Sequence, residues 1–163
     1  MLSKRDMKRL VDEIIAMGNE LRQKQGIGEV ARAHLAPSKK AYGAFTKRHA
    51  ATLPRSYLEL LSIYDGVDNF EWVDVSLLST SYILAHPHRD ETWIESEHYR
   101  EGELFIFASS PTDSHDVAFL LHTARADGEM DVIHFDAKGP LWQHESLEAY
   151  LHHRRLWFMR HLA

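Results

Sequence analysis

At 163 residues, with 44% hydrophobic and 26% charged positions, the chain has the length and composition of one soluble globular domain. It has no cysteine, which excludes disulfides, thiolate metal sites and a cysteine nucleophile, and suits a reducing cytoplasm. The net charge of −5 hides a strong asymmetry: residues 1–55 hold 12 Lys/Arg against 5 Asp/Glu, residues 56–136 hold 3 against 17, and residues 137–163 hold 4 against 2.

No apolar run reaches the roughly 18 residues of a membrane span, and the N-terminal charges have no apolar stretch behind them, so neither membrane insertion nor secretion is expected. The asymmetry bears on partners rather than on fold. It leaves two arrangements open. Either the basic helices lie against the acidic middle and neutralise it, or the middle presents an acidic face.

Ser3 with Asp6 three residues on forms a capping-box pattern. Met7, Leu10, Val11, Ile14, Met17, Gly18 and Leu21 then recur at helical spacing, predicting an amphipathic helix of about five turns. It ends at Gly26-Ile27-Gly28, which lacks the preceding strand and third glycine of a phosphate cradle. Ser38 caps a second helix with Tyr42, Phe45 and His49 on one face. Its Lys39, Lys40, Lys47 and Arg48 read as a solvated basic face, a weak signal for nucleic acid. A third helix of about three turns is expected from Pro54, suited to the first helical position. It carries Tyr57, Leu58, Leu61 and Tyr64 as one stripe, and Asp65-Gly66 as its stop.

Beyond Gly66 the helical period ends. Phe70 to Val75 alternates apolar and acidic residues, the pattern of a half-buried strand. Leu77-Leu78 either continues it or opens a further short strand. Ser79-Thr80-Ser81 offers caps for a helical turn over 82–85, and residues 89–99 read as a peripheral helix or loop. Leu104–Ala108 and Val117–His122 are apolar runs of buried-strand length. Asp127-Gly128 then makes a hairpin into Asp131–Asp136. Lys138-Gly139 turns into a last strand, 140–144, which Pro140 places at a sheet edge. Ser146 caps a closing helix with Leu147, Tyr150, Leu151, Trp157, Phe158 and Leu162 inward and Arg154, Arg155, Arg160 and His161 toward its C-terminus. Helices, a mostly antiparallel sheet and a final helix define an α+β domain.

Two clusters carry the residue types of a metal or hydrolytic site: His86, His88 and Asp90, and Asp113, His115 and Asp116. Pro87 breaks any strand that would align His86 with His88, and spacing alone does not supply a third ligand with its supporting shell. Ser109, Ser110 and Ser114 lie near His115 and Asp116, but no nucleophile elbow is present and the segment reads as inter-strand turn chemistry. Trp72, between Glu71 and Asp74, is either core or an interface anchor flanked by charge.

Leu53-Pro54, Tyr57, Leu60-Leu61 and Asp65-Gly66, in that order, resemble the Leu-Pro…Tyr…Leu-Leu…Asn-Gly signature of the SUKH superfamily. This superfamily holds fungal regulators of cell-wall glucan synthesis and bacterial immunity proteins of polymorphic toxin systems. The strand at 104–108, the loop ending in Asp116, the strand at 117–122, the hairpin and Ser146-Leu147 with Tyr150-Leu151 continue the likeness. Asp65 replaces the usual Asn, and Ser, Thr and His stand before Asp116 where glycines are usual.

The likeness covers residues 37–151 of a single domain spanning 1–163, with helical extensions at 1–36 and 152–163. It implies a central curved sheet flanked by helices, no enzymatic activity, no cofactor, no metal and no catalytic residue, with binding of another protein as the function. The expected role is an intracellular immunity protein that neutralises a toxin, for example a basic nuclease, by direct contact. Asp68, Glu71, Trp72, Asp74, Asp113 and Asp116 are the expected partner-binding residues. The alternative is a small metal-dependent or hydrolytic enzyme using the clusters at 86–90 and 113–116. Nucleic-acid binding by the basic first third is disfavoured by the acidic remainder.

Overall fold

The computed structural model describes residues 2–71, 74–86, 99–100, 102–111, 115–136 and 138–163. Among them are five α-helices: α1 (Lys4–Lys24), α2 (Lys39–His49), α3 (Arg55–Leu61), α4 (Thr80–Ala85) and α5 (Leu147–Leu162). Seven strands, β1 (Arg32–Leu35), β2 (Tyr64–Asp68), β3 (Ser76–Leu77), β4 (Leu104–Ser109), β5 (Asp116–Leu120), β6 (Val132–Asp136) and β7 (Gly139–His144), form one antiparallel sheet in chain order. The fold is α+β. No helix among the described residues is long and apolar enough to cross a membrane.

The helix starts follow the cap chemistry. Ser3, Ser38, Ser79 and Ser146 each accept a hydrogen bond from the backbone N–H three residues on, at the starts of α1, α2, α4 and α5. Packing then selects the faces. Met7, Leu10, Val11, Ile14 and Leu21 of α1 join Leu147, Tyr150, Leu151 and Phe158 of α5 in the main core, so the N-terminal helix is integral to it. Tyr57 of α3 sits at the aromatic centre, its ring 5.2 Å from Phe119 and 5.4 Å from Phe107. Such pairs contribute about 0.5–1.5 kcal/mol each beyond area burial. On the other sheet face Leu104, Ile106, Ala118, Leu120, Ile133 and Phe135 form a second buried cluster. Burial on both faces explains why β4 and β5 read as continuous apolar runs. Pro140, opposite Phe135, lies in the edge strand β7 as expected.

Three expectations are corrected. The third helix stops at Leu61, because residues 64–68 pair with β1 and β3 as β2. Gly66 is therefore no helix cap. It lies within β2 at φ +95°, and a Cβ there would stand 2.7 Å from the Leu77 carbonyl oxygen. The strand expected over 70–75 is absent from its described residues. Asn69 and Asp74, at φ 49° and 47°, turn this stretch into a compact loop in which the Glu71 N–H donates to the Val75 carbonyl at 3.1 Å. Strand β1 was not foreseen, since Arg-Ala-His-Leu carries no periodic signal and its side chains are mostly exposed. Trp72, the run 87–98 and residues 112–114 lie outside the described residues, and so do the expectations for Trp72, His88, Asp90 and Asp113.

Gly66→Ala should destabilise the fold by about 1–3 kcal/mol through the left-handed backbone alone, with the carbonyl clash added. Chemical denaturation of the two proteins checks this. Gly43→Ala, exposed in α2 with open space around it, should instead be neutral or stabilising, because alanine loses less backbone entropy in a helix.

Candidate functional site

One of the expected partner-binding residues, Glu71, is buried. Glu71 is 1% exposed, and its carboxylate accepts from the Tyr150 hydroxyl and from Arg154 Nη1 at 3.1 Å. Its backbone carbonyl accepts from Arg22 Nη2 at 2.5 Å, and the same nitrogen donates to the Asn69 carbonyl at 2.6 Å. His134 Nδ1 stands 3.8 Å from the Glu71 carboxylate. Thus α1, α5, β6 and the 69–75 loop meet at one acidic residue, α1 through its backbone carbonyl and α5 and β6 at its side chain. The loop makes this possible: its two left-handed residues carry Glu71 inward with Phe70 and Val75, which are also buried. An ionised carboxylate at that depth requires a charged partner and hydrogen bonds, and Arg154 and Tyr150 supply both.

Histidines surround this pair. The His134 ring is 5.5 Å from that of His115 and 5.3 Å from that of Trp142. His144 Nε2 and His153 Nδ1 are 3.2 Å apart, bridging β7 and α5. Burial lowers the His134 pKa, with Arg154 and His115 assisting and Glu71 and Asp136 opposing. Burial also lowers His144, from 6.5 to about 4, with His153, Arg154 and His134 assisting and Glu71 opposing. His153 is lowered by burial, Arg154 and Arg160, against Glu71. Burial and the adjacent Glu71 raise the Tyr150 phenol well above its usual value. Burial thus disfavours the charged forms of His134, His144 and His153 beside one carboxylate–guanidinium pair. Its members come from positions 71 to 154, a convergence that no local spacing announces.

The other expected residues separate. Asp116 is buried in β5 between Ser109 and Phe135, because β5 is an interior strand covered on both faces, so it is not a surface carboxylate. Asp74 accepts from the Ser110 hydroxyl at 2.9 Å, tying the 69–75 loop to the β4–β5 connection. Asp68 is exposed and pairs with His34 Nε2 at 2.9 Å. His86 is exposed and stacks on Tyr82 with centroids 4.2 Å apart, and His115 turns toward His134. No group of three or more His, Asp or Glu among the described residues is arranged to hold a metal. Three basic residues of α1 pair locally, Lys8 with Asp12, Arg9 with Asp6 and Lys24 with Glu20, while Arg22 reaches into the acidic middle through the Asn69 and Glu71 carbonyls.

A groove of about 750 Å3 opens between β1 and α4. Asp65, Asp68, His34, Arg32, Leu35 and Tyr82 contribute to its lining. Asp65 accepts from the Thr80 N–H at 2.7 Å, so it fixes the start of α4 while lining the groove. Leu35 is 91% exposed and Tyr82 39% exposed. Among these residues sequence reading selected Asp68 for binding. Asp65 entered it as a helix stop, Tyr82 as part of a helical turn, and β1 not at all. No family model matches the chain, and no curated protein matches it.

Stability should fall as pH drops. A histidine whose folded pKa is depressed binds its proton in the unfolded chain first, so its stabilisation is complete above the unfolded value and decays below it. For His144 the window runs from 6.5 toward about 4. Thermal melts between pH 7.5 and 4.5 should show this decline, and His144→Gln should flatten part of it. Removing one partner of the buried pair, as in Arg154→Met, should cost about 3–5 kcal/mol in denaturant unfolding.

Proposed function

We propose that the chain is a non-catalytic protein-binding domain of SUKH type, acting in the cytoplasm as an immunity protein that neutralises a toxin by direct contact. The observation that carries this reading is the groove beside β1. There an edge strand that, among the described residues, is bonded on one side only borders two carboxylates, Asp65 and Asp68, and two exposed apolar or aromatic side chains, Leu35 and Tyr82. Apolar anchors ringed by charge, next to a strand with unpaired backbone groups, are what a protein partner uses. The carboxylates and the acidic excess of residues 56–136 favour a partner with a basic surface, such as a nuclease, and would steer its approach.

The Glu71 network supports a structural role for the chain's most buried charges. Arg22, Arg154 and Tyr150 direct hydrogen bonds to Glu71, and these bonds join elements of the fold to one another. Asp68 remains in the proposed contact surface, Asp74 beside it organises the loop, and Glu71 and Asp116 act behind it.

A tagged copy expressed in its native host should retain one basic protein through stringent washing. Leu35→Asp combined with Asp68→Lys should weaken that complex at least tenfold, about 1.4 kcal/mol, with an unchanged melting curve. No retained protein, or equal affinity for the double variant, refutes the reading.

A further inference from the structure

At the end of the sheet opposite Asp68, the β5–β6 connection and the start of α5 enclose a separate pocket of about 180 Å3. Asp127, Glu129, Glu145 and Glu148 line it together with Arg125 and Ser56. We infer that this pocket receives the guanidinium group of an arginine presented by a protein partner. The source of the arginine rests on the protein-binding reading above. The pocket's chemistry does not.

Glu129 is the reason. It is 7% exposed, its Oε2 accepts from the Ser56 hydroxyl at 2.8 Å, and its Oε1 has no hydrogen-bond partner among the described residues. A buried carboxylate with one oxygen unmatched carries an uncompensated desolvation cost. Its surroundings add negative charge. Arg125, the lining cation, is shared among other groups: its Nη1 holds Asp131 at 2.6 Å, its Nε stands 3.9 Å from Asp127, and its Nη2 donates to the Glu145 carbonyl. The start of α5 does not supply the missing donor through Ala149, whose N–H is taken by Ser146 at 3.1 Å.

The walls are also set in advance. Arg125 N–H donates to the Glu129 carbonyl, and Gly128 N–H to the Arg125 carbonyl, both at 2.9 Å. Asp127 Oδ1 caps the Glu129 N–H at 3.0 Å. A turn fixed in this way adds little ordering cost on binding.

The occupant's chemistry follows from size and donor geometry. A volume of about 180 Å3 admits a charged head group with part of its alkyl stem. A bare divalent ion is disfavoured, because no three acidic or imidazole ligands among the described residues converge as such an ion requires. Guanidinium carries five donors in a planar fork, enough to meet Glu129 and a rim carboxylate at once, whereas an ammonium is a point charge.

The test is a titration of isotope-labelled protein with N-acetyl-arginine amide, following the backbone amides of Asp127, Glu129 and Glu148 by NMR. Saturable shifts in the millimolar range are expected, with N-acetyl-lysine amide several-fold weaker. Glu129→Gln keeps an acceptor for Ser56 and should weaken arginine binding about tenfold, the loss of a charge-assisted pair. If that variant is misfolded by its melting curve, Asp127→Asn with Glu148→Gln, leaving Glu129 intact, should still weaken binding several-fold. Absence of saturation, equal response to lysine, or undiminished binding in the folded variants overturns the assignment. Where a partner has been captured, an unchanged affinity for Glu129→Gln overturns the pocket's part in that complex while the groove reading stands. Loss of binding in the groove variants alone bears on the groove.

Discussion

The buried carboxylate of Glu71 is the constraint on which the rest of the structure depends. Held by Arg154 and Tyr150 from α5, its peptide carbonyl gripped by Arg22 from α1, it fastens the two long helices to the loop that feeds β3. Burying a charge this deeply is tolerable only while its partners remain in place. That makes the arrangement a specifier of geometry as much as a source of stability. With Glu71 inward, the chain on either side of it is committed: Asn69 and Asp74 take left-handed conformations, Phe70 and Val75 enter the core, and Asp74 reaches Ser110. The neutral histidines packed around the pair keep the local charge near balance, since a protonated His134 or His144 would face Arg154.

With that centre closed, two recesses at the sheet present polar side chains among the described residues. One is the β1 side, where a four-residue edge strand, Asp65, Asp68 and Tyr82 border a wide groove. The other is the hairpin end, where Glu129 sits under a rim of Asp127, Glu145 and Glu148. The first offers apolar area and an unpaired strand edge. The second offers a small, highly acidic recess. Among the described residues, acidic side chains that are diffuse in the sequence thus include a buried structural pair, a half-buried loop tie and two surface features.

The elements whose character is local were legible. Serine caps, helical stripes on α1 and α5, the apolar runs of β4 and β5, the Asp127-Gly128 hairpin and edge-marking Pro140 all follow from backbone sterics and periodicity. The failures share a cause. Gly66 looks like a helix stop, yet it lets β2 pass so close to β3 that a Cβ there would stand 2.7 Å from the Leu77 carbonyl oxygen. Residues 70–75 alternate like a strand, yet Glu71 points inward because Arg154, 83 residues later, is there to meet it. Asp116 looks like a loop carboxylate, yet it falls inside an interior strand. Strand β1 had no pattern to detect, because an exposed edge strand needs none.

By itself, the sequence determined the α+β class, the helix starts, the meander around its hairpin and the uneven distribution of charge, because caps, turns and hydrophobic period act over a few residues. Which acidic residues are exposed and which are buried was decided by the tertiary structure alone. A carboxylate's exposure depends on whether a distant cation and hydroxyl converge on it, and that convergence is a property of how helices and sheet pack, not of any neighbouring residue.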